Sequence, residues 1–304
     1  MSAGSEFCFR RVAQGCGERL DRFLAASLEG VSRKKIKQAL DGGRIFVDGR
    51  VARRAGQILH GGECIEGTLL LSQPLPSPQI FVVFQDADLL VVAKPAGLAS
   101  HPAHAGQDSA LSQVCALLDG SGAPPVLQHR LDRDTSGLLV FALHDESNQS
   151  LYRQFFERRV EKSYLALVEG RPPASFWADE RLKSGVRGRT VPDPEGQEAR
   201  TDFTTLAYGG GAALVEAQPR TGRTHQIRVH LAARGFPLLG DALYGGSLFF
   251  KTAQCHLAIP RHLLHAYRLR FQHPRTGEPM MLVCPPPPDF SPVLSSFDNC
   301  PINL

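Results

Sequence analysis

The feature of the sequence that most restricts its fold is a succession of short apolar segments, separated by turn residues, that begins near residue 80. Segments at residues 80–84, 89–93 and 138–143 have the length and composition of strands, and Thr276 and Gly277 mark a late hairpin turn. Because short turns join antiparallel strands, this pattern predicts an α+β fold with a largely antiparallel sheet rather than a doubly wound parallel one. Further strand-like segments lie at residues 162–169, 213–218, 264–271 and 280–284.

Three helices are expected beside this sheet. Asp108 or Ser109 can cap the first, and residues 147–156 have the spacing of the second. Thr224 can cap the third, which would run to the residue before Gly235 and end there.

The chain before this region predicts a separate, small α/β module over residues 17–71. Apolar residues first recur at helical spacing, and Ser32 is then suited to cap a second, lysine-rich helix. A short strand follows, and Asp48 with Gly49 is a strong signal for a two-residue hairpin. Residues 1–16 are expected to be a tail.

Positive charge is concentrated in this module. The whole chain has a net charge of +4, and residues 17–67 alone hold ten Lys/Arg against seven Asp/Glu. This excess indicates a phosphate-binding surface, although a lysine-rich helix can also be an ordinary solvated face. The candidate phosphate-binding residues are Arg19, Arg33, Lys34, Lys35, Lys37 and Arg44.

The remaining segments set the expected boundaries and location. A proline-rich linker at residues 72–79 leads to a second domain at 80–288, and residues 289–304 are expected to be a second tail. No run reaches the ~18 consecutive apolar residues of a membrane span, and no signal peptide is recognisable, so we expect a cytoplasmic protein. The seven cysteines are irregularly spaced without a C-x-x-C pair, which predicts reduced thiols.

The most informative chemical candidate is Asp132, which lies in a polar stretch between two apolar runs. Residues 134–137 have turn chemistry, and Arg130 and Arg133 flank the carboxylate. Opposite charge favours the ionised carboxylate, which can act as a nucleophile. The alternative is an aspartate that only accepts hydrogen bonds from turn amides.

Three further candidates lie elsewhere in the same domain. Arg223 is expected at the mouth of the third helix, where backbone amides and a guanidinium favour an anion such as a phosphate or an aspartate. Tyr164 lies on a predicted strand and could stack on a base, unless it is an ordinary core tyrosine. Lys94 begins a loop that Pro95 and Gly97 restrict.

Together these stretches resemble the RluA family of pseudouridine synthases over residues 80–285, and residues 17–71 resemble the S-four-type RNA-binding domain. The matching pieces are Lys94-Pro95-x-Gly97, His129-Arg130-Leu131-Asp132-x-x-x-Ser136-Gly137, Lys162-x-Tyr164, residues 222–228, residues 240–246 and Leu264-His265-Ala266. A segment within residues 175–205 cannot be aligned with the family and is a candidate RNA contact.

The resemblance implies roles for individual residues. Asp132 falls on the catalytic aspartate, and Arg223 on the arginine that pairs with it. Tyr164 falls on the tyrosine that packs against the target base and is a candidate for helping to remove the proton from carbon-5. Supporting active-site positions would be Lys94, His129, Arg130 and Leu264.

The implied reaction is the isomerisation of uridine to pseudouridine in RNA, without a metal or other cofactor. The target uridine would leave its stack, and Asp132 would attack either the sugar or the base. The N-terminal module favours large-subunit ribosomal RNA as the substrate, with transfer RNA also possible. A monomer without membrane contact is expected.

Parts of the sequence also fit two other functions. Asp132 and Asp134 resemble the D-x-D signature of phosphohydrolases, but that signature follows an apolar strand and needs Mg²⁺ with further acidic ligands. The histidine pairs His101/His104 and His225/His230 lack matching ligands for a metal site. The second alternative is a catalytically silent protein that uses both domains to clamp RNA.

Overall fold

A computed structural model of the chain separates it into two compact units, Met1–Pro76 and Ser77–Leu304. The expected linker, residues 72–79, lies outside the described residues except for its last two positions. The structure describes residues 6–28, 31–70, 78–104, 106–119, 123–185, 188–251 and 256–297.

The first unit is a four-stranded sheet with two helices. Its sheet order is β1-β4-β2-β3, and Ser32 caps α2 as predicted by accepting a hydrogen bond from the backbone N–H of Lys35 at 3.4 Å. Leu20, Leu24 and Ile36 from the two helices are fully buried in its core. The elements are β1 (Glu6–Val12), α1 (Leu20–Ser27), α2 (Arg33–Asp41), β2 (Ile45–Val47), β3 (Arg50–Val51) and β4 (Cys64–Leu70).

The expectation that residues 1–16 form a tail was wrong. β1 pairs antiparallel with β4 along its whole length, and Phe9 and Ala13 are buried in the core of the unit. The strand carries Arg10 and Arg11, so its sequence resembles a polar tail, and its partner strand supplies the hydrogen bonds that make it a strand.

The second unit contains the remaining helices and strands. No helix among the described residues is both long and apolar enough to span a membrane. The elements are β5 (Phe81–Gln85), β6 (Leu89–Lys94), α3 (Ala110–Leu117), β7 (Val126–Leu127), β8 (Ser136–Ala142), α4 (Asp145–Phe156), β9 (Glu161–Glu169), β10 (Ser175–Ala178), β11 (Leu182–Ser184), β12 (Thr190–Pro192), β13 (Thr201–Gly209), β14 (Ala212–Pro219), α5 (Gln226–Ala233), β15 (Phe249–Lys251), β16 (His256–Ala258), β17 (Leu264–Gln272), β18 (Pro279–Val283) and α6 (Ser291–Leu294).

A ten-stranded sheet organises this unit in the order β10-β13-β14-β9-β17-β8-β6-β5, with β18 beside β17 and β7 beside β8. Within the described residues the pairing of β17 with β8 is parallel and the other pairings of this sheet are antiparallel. This confirms the expected α+β class with a mainly antiparallel sheet. The central strand, β17, joins two halves of the sheet that are distant in sequence.

Gly137 makes the parallel pairing of β8 and β17 possible. Its φ is +115°, and a Cβ built there would lie 2.2 Å from the carbonyl oxygen of Ala266. A larger residue would clash with backbone that cannot move away, so the two strands approach closely only because this position is glycine. The contact lies five residues after Asp132 and therefore fixes one end of its loop.

The helix starts agree with the sequence in part. Ser109 caps α3 and His144 caps α4, which begins slightly earlier than predicted. The prediction that Thr224 caps α5 was wrong, because the N-cap is His225, with φ +55° and no side-chain cap. The side chain of Gln226 instead accepts the backbone N–H three residues before it, at 3.0 Å.

The expectation of a tail after residue 288 was also wrong for the part that the structure describes. A 3₁₀ turn at Pro288–Phe290 leads into α6, and Phe290, Val293 and Phe297 are buried against the sheet. Prolines end the last strand, but they are compatible with the first turn of a helix, and apolar residues after them reach the core. Residues 298–304 lie outside the described residues.

Candidate active site

The second unit has a cleft of about 1190 Å³ that is lined by six of the seven predicted active-site residues. The cleft is lined by residues from the loop before β8, from β9, and from the segment between β14 and α5. Its walls include Asp132, Tyr164, Arg223, His129, Arg130 and Leu264. Lys94 is absent from this lining because it is buried behind the loop of Asp132.

Asp132 lies in the turn that leads into β8. Its backbone carbonyl accepts a hydrogen bond from the N–H of Thr135 at 3.1 Å, which closes the turn predicted for residues 134–137. Its side chain is 25% exposed, so the carboxylate is held by protein on one side and accessible from the cleft on the other.

The arginine that contacts Asp132 is Arg228, not Arg223. The Nη1 of Arg228 donates to Oδ2 of Asp132 at 2.9 Å, whereas the Nε of Arg223 donates to the backbone carbonyl of Glu198 at 3.0 Å. The predicted pairing was therefore wrong. The helix begins after Arg223, which leaves that residue in the preceding turn, and Arg228 lies in its buried first turn.

Asp241 fixes the guanidinium of Arg228 from the other side. Its carboxylate accepts from Nε at 2.7 Å and from Nη2 at 2.9 Å, and it is almost completely buried. Burial alone would lower the pKa of Arg228, but the hydrogen bonds to Asp241 and Asp132 raise it above its usual value. Burial would raise the pKa of Asp241, but Arg228 lowers it. Asp241 therefore holds a permanently charged group against Asp132.

Sequence reasoning did not assign a role to Tyr244 or His225. The guanidinium carbon of Arg228 lies 5.1 Å from the ring centre of Tyr244, whose hydroxyl is 2.9 Å from Nδ1 of His225. The same hydroxyl accepts the backbone N–H of Thr190 at 2.9 Å. Thr190 begins β12, which pairs antiparallel with β11, so these two strands of the segment that cannot be aligned adjoin the site.

Tyr164 is half-buried on β9 and lines the cleft. Burial and, to a lesser extent, the charge of Asp132 raise the pKa of its phenol above the usual value of about 10. The tyrosine is therefore a neutral phenol at physiological pH. It offers an aromatic face and a hydroxyl rather than a ready-made anionic base.

His129 and Leu264 form apolar parts of the cleft, and Arg130 is exposed on its wall. The ring of His129 stacks on Phe155 with centroids 5.1 Å apart, and burial lowers its pKa to about 3. His129 is therefore neutral, and its buried Nε2 has no hydrogen-bond partner among the described residues.

Lys94 contacts the loop of Asp132 from the buried side of that loop. Its ammonium donates to the backbone carbonyls of Pro95 at 2.9 Å, Leu98 at 2.7 Å and Arg133 at 2.9 Å. Burial lowers its pKa to about 7, whereas the three carbonyl acceptors favour the protonated form. Lys94 is therefore a positioning residue that joins the loop after β6 to the residue beside Asp132.

The candidate RNA-binding residues of the first unit differ in their availability. Arg33, Lys34 and Lys37 are exposed on α2, and Lys35 is half-buried. The other two arginines are partly engaged. Arg19 binds both carboxylate oxygens of Asp21, at 3.0 and 3.1 Å, and the half-buried Arg44 donates to the carbonyl of Gln38 at 3.5 Å.

One group of described residues has the geometry of a metal site, and it lies away from the cleft. Asp86, Asp88 and His273 bring their ligand atoms within 4.8 Å of one another. Those atoms already bind protein partners, because His273 contacts Asp86 at 2.7 Å and Arg275 and His144 contact Asp88 at 2.8 and 2.7 Å. The group is satisfied as an ion-pair network between turns.

Comparisons with known proteins match one family to each of the two units of the chain. The family model described as RNA pseudouridylate synthase matches residues 88–233, and the S4 domain model matches residues 18–65. A protein of Chloroflexus aurantiacus named as an uncharacterized RNA pseudouridine synthase is 39% identical, covering 93% of this chain and 90% of its own length. A ribosomal large subunit pseudouridine synthase D of Zymomonas mobilis is 37% identical, covering 86% and 88%.

Two solved human structures resemble this chain over about three quarters of its length. RNA Pseudouridylate Synthase Domain Containing 4 has a TM-score of 0.56 and 29% identity, covering 71% of this chain and 92% of its own. RNA Pseudouridylate Synthase Domain Containing 1 has a TM-score of 0.58 and 27% identity, covering 75% and 91%.

Proposed function

The chain belongs to the RNA pseudouridine synthase family and is an isomerase, and we propose that it modifies uridines of large-subunit ribosomal RNA with Asp132 as the nucleophile. Support for the substrate comes from the relatives named as ribosomal large subunit synthases and from the S4 domain that precedes the catalytic unit. The cytoplasm is the corresponding location.

The observation that carries the catalytic assignment is the setting of the Asp132 carboxylate. One oxygen accepts a hydrogen bond from Arg228, and the other has no hydrogen-bond partner among the described residues and faces an open cleft. The guanidinium at 2.9 Å fixes the position of this carboxylate, and a carboxylate held with one oxygen towards the cleft can act as a nucleophile.

The proposed reaction conserves every atom of the substrate. The bond between the ribose C1′ and N1 of uracil breaks, the base turns within the cleft, and a bond forms between C1′ and C5. The proton on C5 is lost and N1 gains one, so no electrons are exchanged. Asp132 forms a covalent intermediate by attacking either C1′ or the ring, and this intermediate persists while the base is detached.

Tyr164 is proposed to hold the base during this turn. Its half-buried ring lies on the cleft wall, and its neutral phenol can pack against uracil without adding charge beside Asp132. Its raised pKa means that it can accept the C5 proton only in concert with another group. Arg223, on the rim of the cleft, is proposed to meet the RNA backbone rather than Asp132.

The N-terminal unit is proposed to supply affinity through phosphate contacts. The exposed side chains of Arg33, Lys34 and Lys37 lie along α2. Contacts between such cations and backbone phosphates give affinity but do not distinguish one RNA sequence from another. Selection of the target uridine would then depend on the cleft and on the RNA structure that presents it.

The test maps pseudouridine by carbodiimide labelling and primer extension in unmodified ribosomal RNA and, separately, in transfer RNA. We expect new stops in large-subunit ribosomal RNA with the wild type and none with Asp132→Asn. Asp134→Asn is the matched control, because Asp134 is an exposed aspartate of the same turn, and it should retain activity.

Each other outcome has a defined meaning. Stops only in transfer RNA would replace the proposed substrate and keep the chemistry. Full activity of Asp132→Asn would remove the nucleophile assignment. Tight RNA binding by a folded wild type without any stops, in isolated RNA or in precursor particles, would favour the catalytically silent RNA-binding alternative.

A further inference from the structure

The C-terminal turn of α4 presents two aromatic rings to solvent. Tyr152 is 63% exposed and Phe156 is 73% exposed, and their rings stack with centroids 5.9 Å apart and planes 19° from parallel. An aromatic pair at this spacing stabilises a helix only slightly, so helix stability alone gives little reason to keep a phenylalanine in water.

The turn that carries these rings is fixed to the body of the second unit. Gln154 exchanges two hydrogen bonds with the backbone of Gln272, at 2.9 and 2.8 Å. Phe155 points inward and stacks on His129, three residues before Asp132. Phe156 is therefore held in a defined position relative to the catalytic loop.

Phe156 is also part of the cleft wall. It lines the same cleft as Asp132, together with Phe155 and Arg158. The lining residues include nine lysines and arginines against two aspartates and glutamates, so the cleft is complementary to a polyanion. The guanidinium groups of Arg130 and Arg158 have no ion-pair partner among the described residues.

A fixed, exposed aromatic ring in a cleft that is also lined by guanidinium groups is suited to bind single-stranded nucleic acid, in which bases stack on rings and phosphates contact cations. We propose that Phe156, supported by Tyr152, is a stacking platform for an unpaired nucleobase that neighbours the target uridine in the substrate RNA. The identity of this occupant rests on the proposed function. When the target uridine flips out, the adjacent base loses a stacking neighbour, and the ring of Phe156 would replace that neighbour.

The first experiment measures affinity for unmodified large-subunit ribosomal RNA. All variants carry Asp132→Asn, so that turnover does not alter the RNA. Phe156→Ala should weaken binding about tenfold, while Phe156→Tyr should retain most of it. Phe81→Ala is the matched control, because Phe81 is 69% exposed and lies outside the cleft lining, and its affinity should equal that of the parent.

The second experiment detects stacking directly. The chain has a single tryptophan, Trp177, so Trp177→Phe combined with Phe156→Trp moves the only indole to the proposed platform. Addition of the same RNA should quench this emission to saturation, and emission from Trp177 in the parent should change much less. Emission from position 156 that stays constant while filter binding shows a complex would overturn the proposal.

Thermal unfolding separates the proposed role from a structural one. A lower melting temperature of Phe156→Ala with unchanged RNA affinity would show that the pair only stabilises α4, and the proposal would be wrong. If the wild type forms no pseudouridine but the RNA still quenches the indole, the proposed chemistry fails and the platform remains.

Discussion

At the scale of single residues, the feature with the largest consequence is the guanidinium of Arg228, which lies between two carboxylates. Asp241 is nearly inaccessible and has this arginine as its ionic partner. Asp132 is partly accessible and is available to the substrate. The same group therefore contributes both to the stability of the fold and to the position of the proposed nucleophile.

Replacing Arg228 should affect stability and activity together. Arg228→Gln leaves Asp241 as a buried charge without its partner, which should cost roughly 3–5 kcal/mol of unfolding free energy. It should also reduce pseudouridine formation by about 100-fold or more, because Asp132 loses its fixed cation. Denaturant unfolding and initial rates at saturating RNA measure the two effects.

Arg223→Gln is the matched comparison for this prediction. Arg223 is half-exposed and contacts a carbonyl, so its loss should leave the unfolding free energy nearly unchanged and act mainly on KM. A large fall in kcat for Arg223→Gln, with an active Arg228→Gln, would contradict the observed pairing.

These two arginines also show how far the sequence predicts the site. The motif at residues 222–228 identifies the region correctly, but two arginines in it have the same chemistry. The choice between them depends on where α5 begins, which a tertiary hydrogen bond of Gln226 determines rather than the side chain of Thr224. The apolar neighbours of Arg228, Ile227 and Val229, were the available signal that this part of the motif is buried.

At the scale of elements, the junction of β8 with β17 positions the loop that carries Asp132. Gly137→Ala should destabilise the protein by roughly 3 kcal/mol or more, because its Cβ would meet the backbone of Ala266 at 2.2 Å. Gly245→Ala has the same sign of φ but open space around it, so it should cost only about 1–2 kcal/mol. Melting temperatures of both variants test whether close packing, rather than backbone conformation, sets the cost.

The same junction should give the protein a specific sensitivity to acid. Burial lowers the pKa of His265 to about 4, and the ring bridges Ser136 and the carbonyl of Cys284 at 2.9 and 2.8 Å. The unfolded chain binds the proton near pH 6.5, so this stability is complete above pH 6.5 and is lost as the pH falls towards 4. The loss is at most about 3 kcal/mol for this group.

Unfolding free energies measured between pH 7 and pH 4 test this prediction. His265→Gln should be less stable at pH 7 and show a smaller slope over this interval. His60→Gln, which changes an exposed histidine of the other unit, should keep the parental slope. A parental slope in His265→Gln would show that other groups cause the acid sensitivity.

Elements were easiest to predict where the spacing of apolar residues and the capping or turn residues indicate the same boundaries. α2 follows Ser32, as predicted, and the hairpin at Asp48 and Gly49 joins β2 to β3. β1 and the turn at Phe290 were missed because neither has a periodic pattern long enough to indicate an element. Both depend on contacts with distant parts of the chain, which local sequence does not reveal.

At the scale of the whole molecule, the separate N-terminal unit predicts strongly salt-dependent RNA binding. Exchanging Arg33, Lys34 and Lys37 together for glutamine removes three exposed cations without changing its core. The slope of log affinity against log salt should become shallower by about 2, whereas kcat on saturating RNA should hold. An unchanged slope would show that phosphate contacts lie elsewhere.

The position of β17 has a consequence for the biosynthesis of the enzyme. Residues 264–272 form the strand that joins β8 to β9, and the cleft is built from both sides of that junction. A nascent chain can therefore pair the strands on either side of this junction first, but the two halves unite only when residues 264–272 have emerged from the ribosome. A chain truncated before residue 264 should therefore lack the completed cleft and form no pseudouridine.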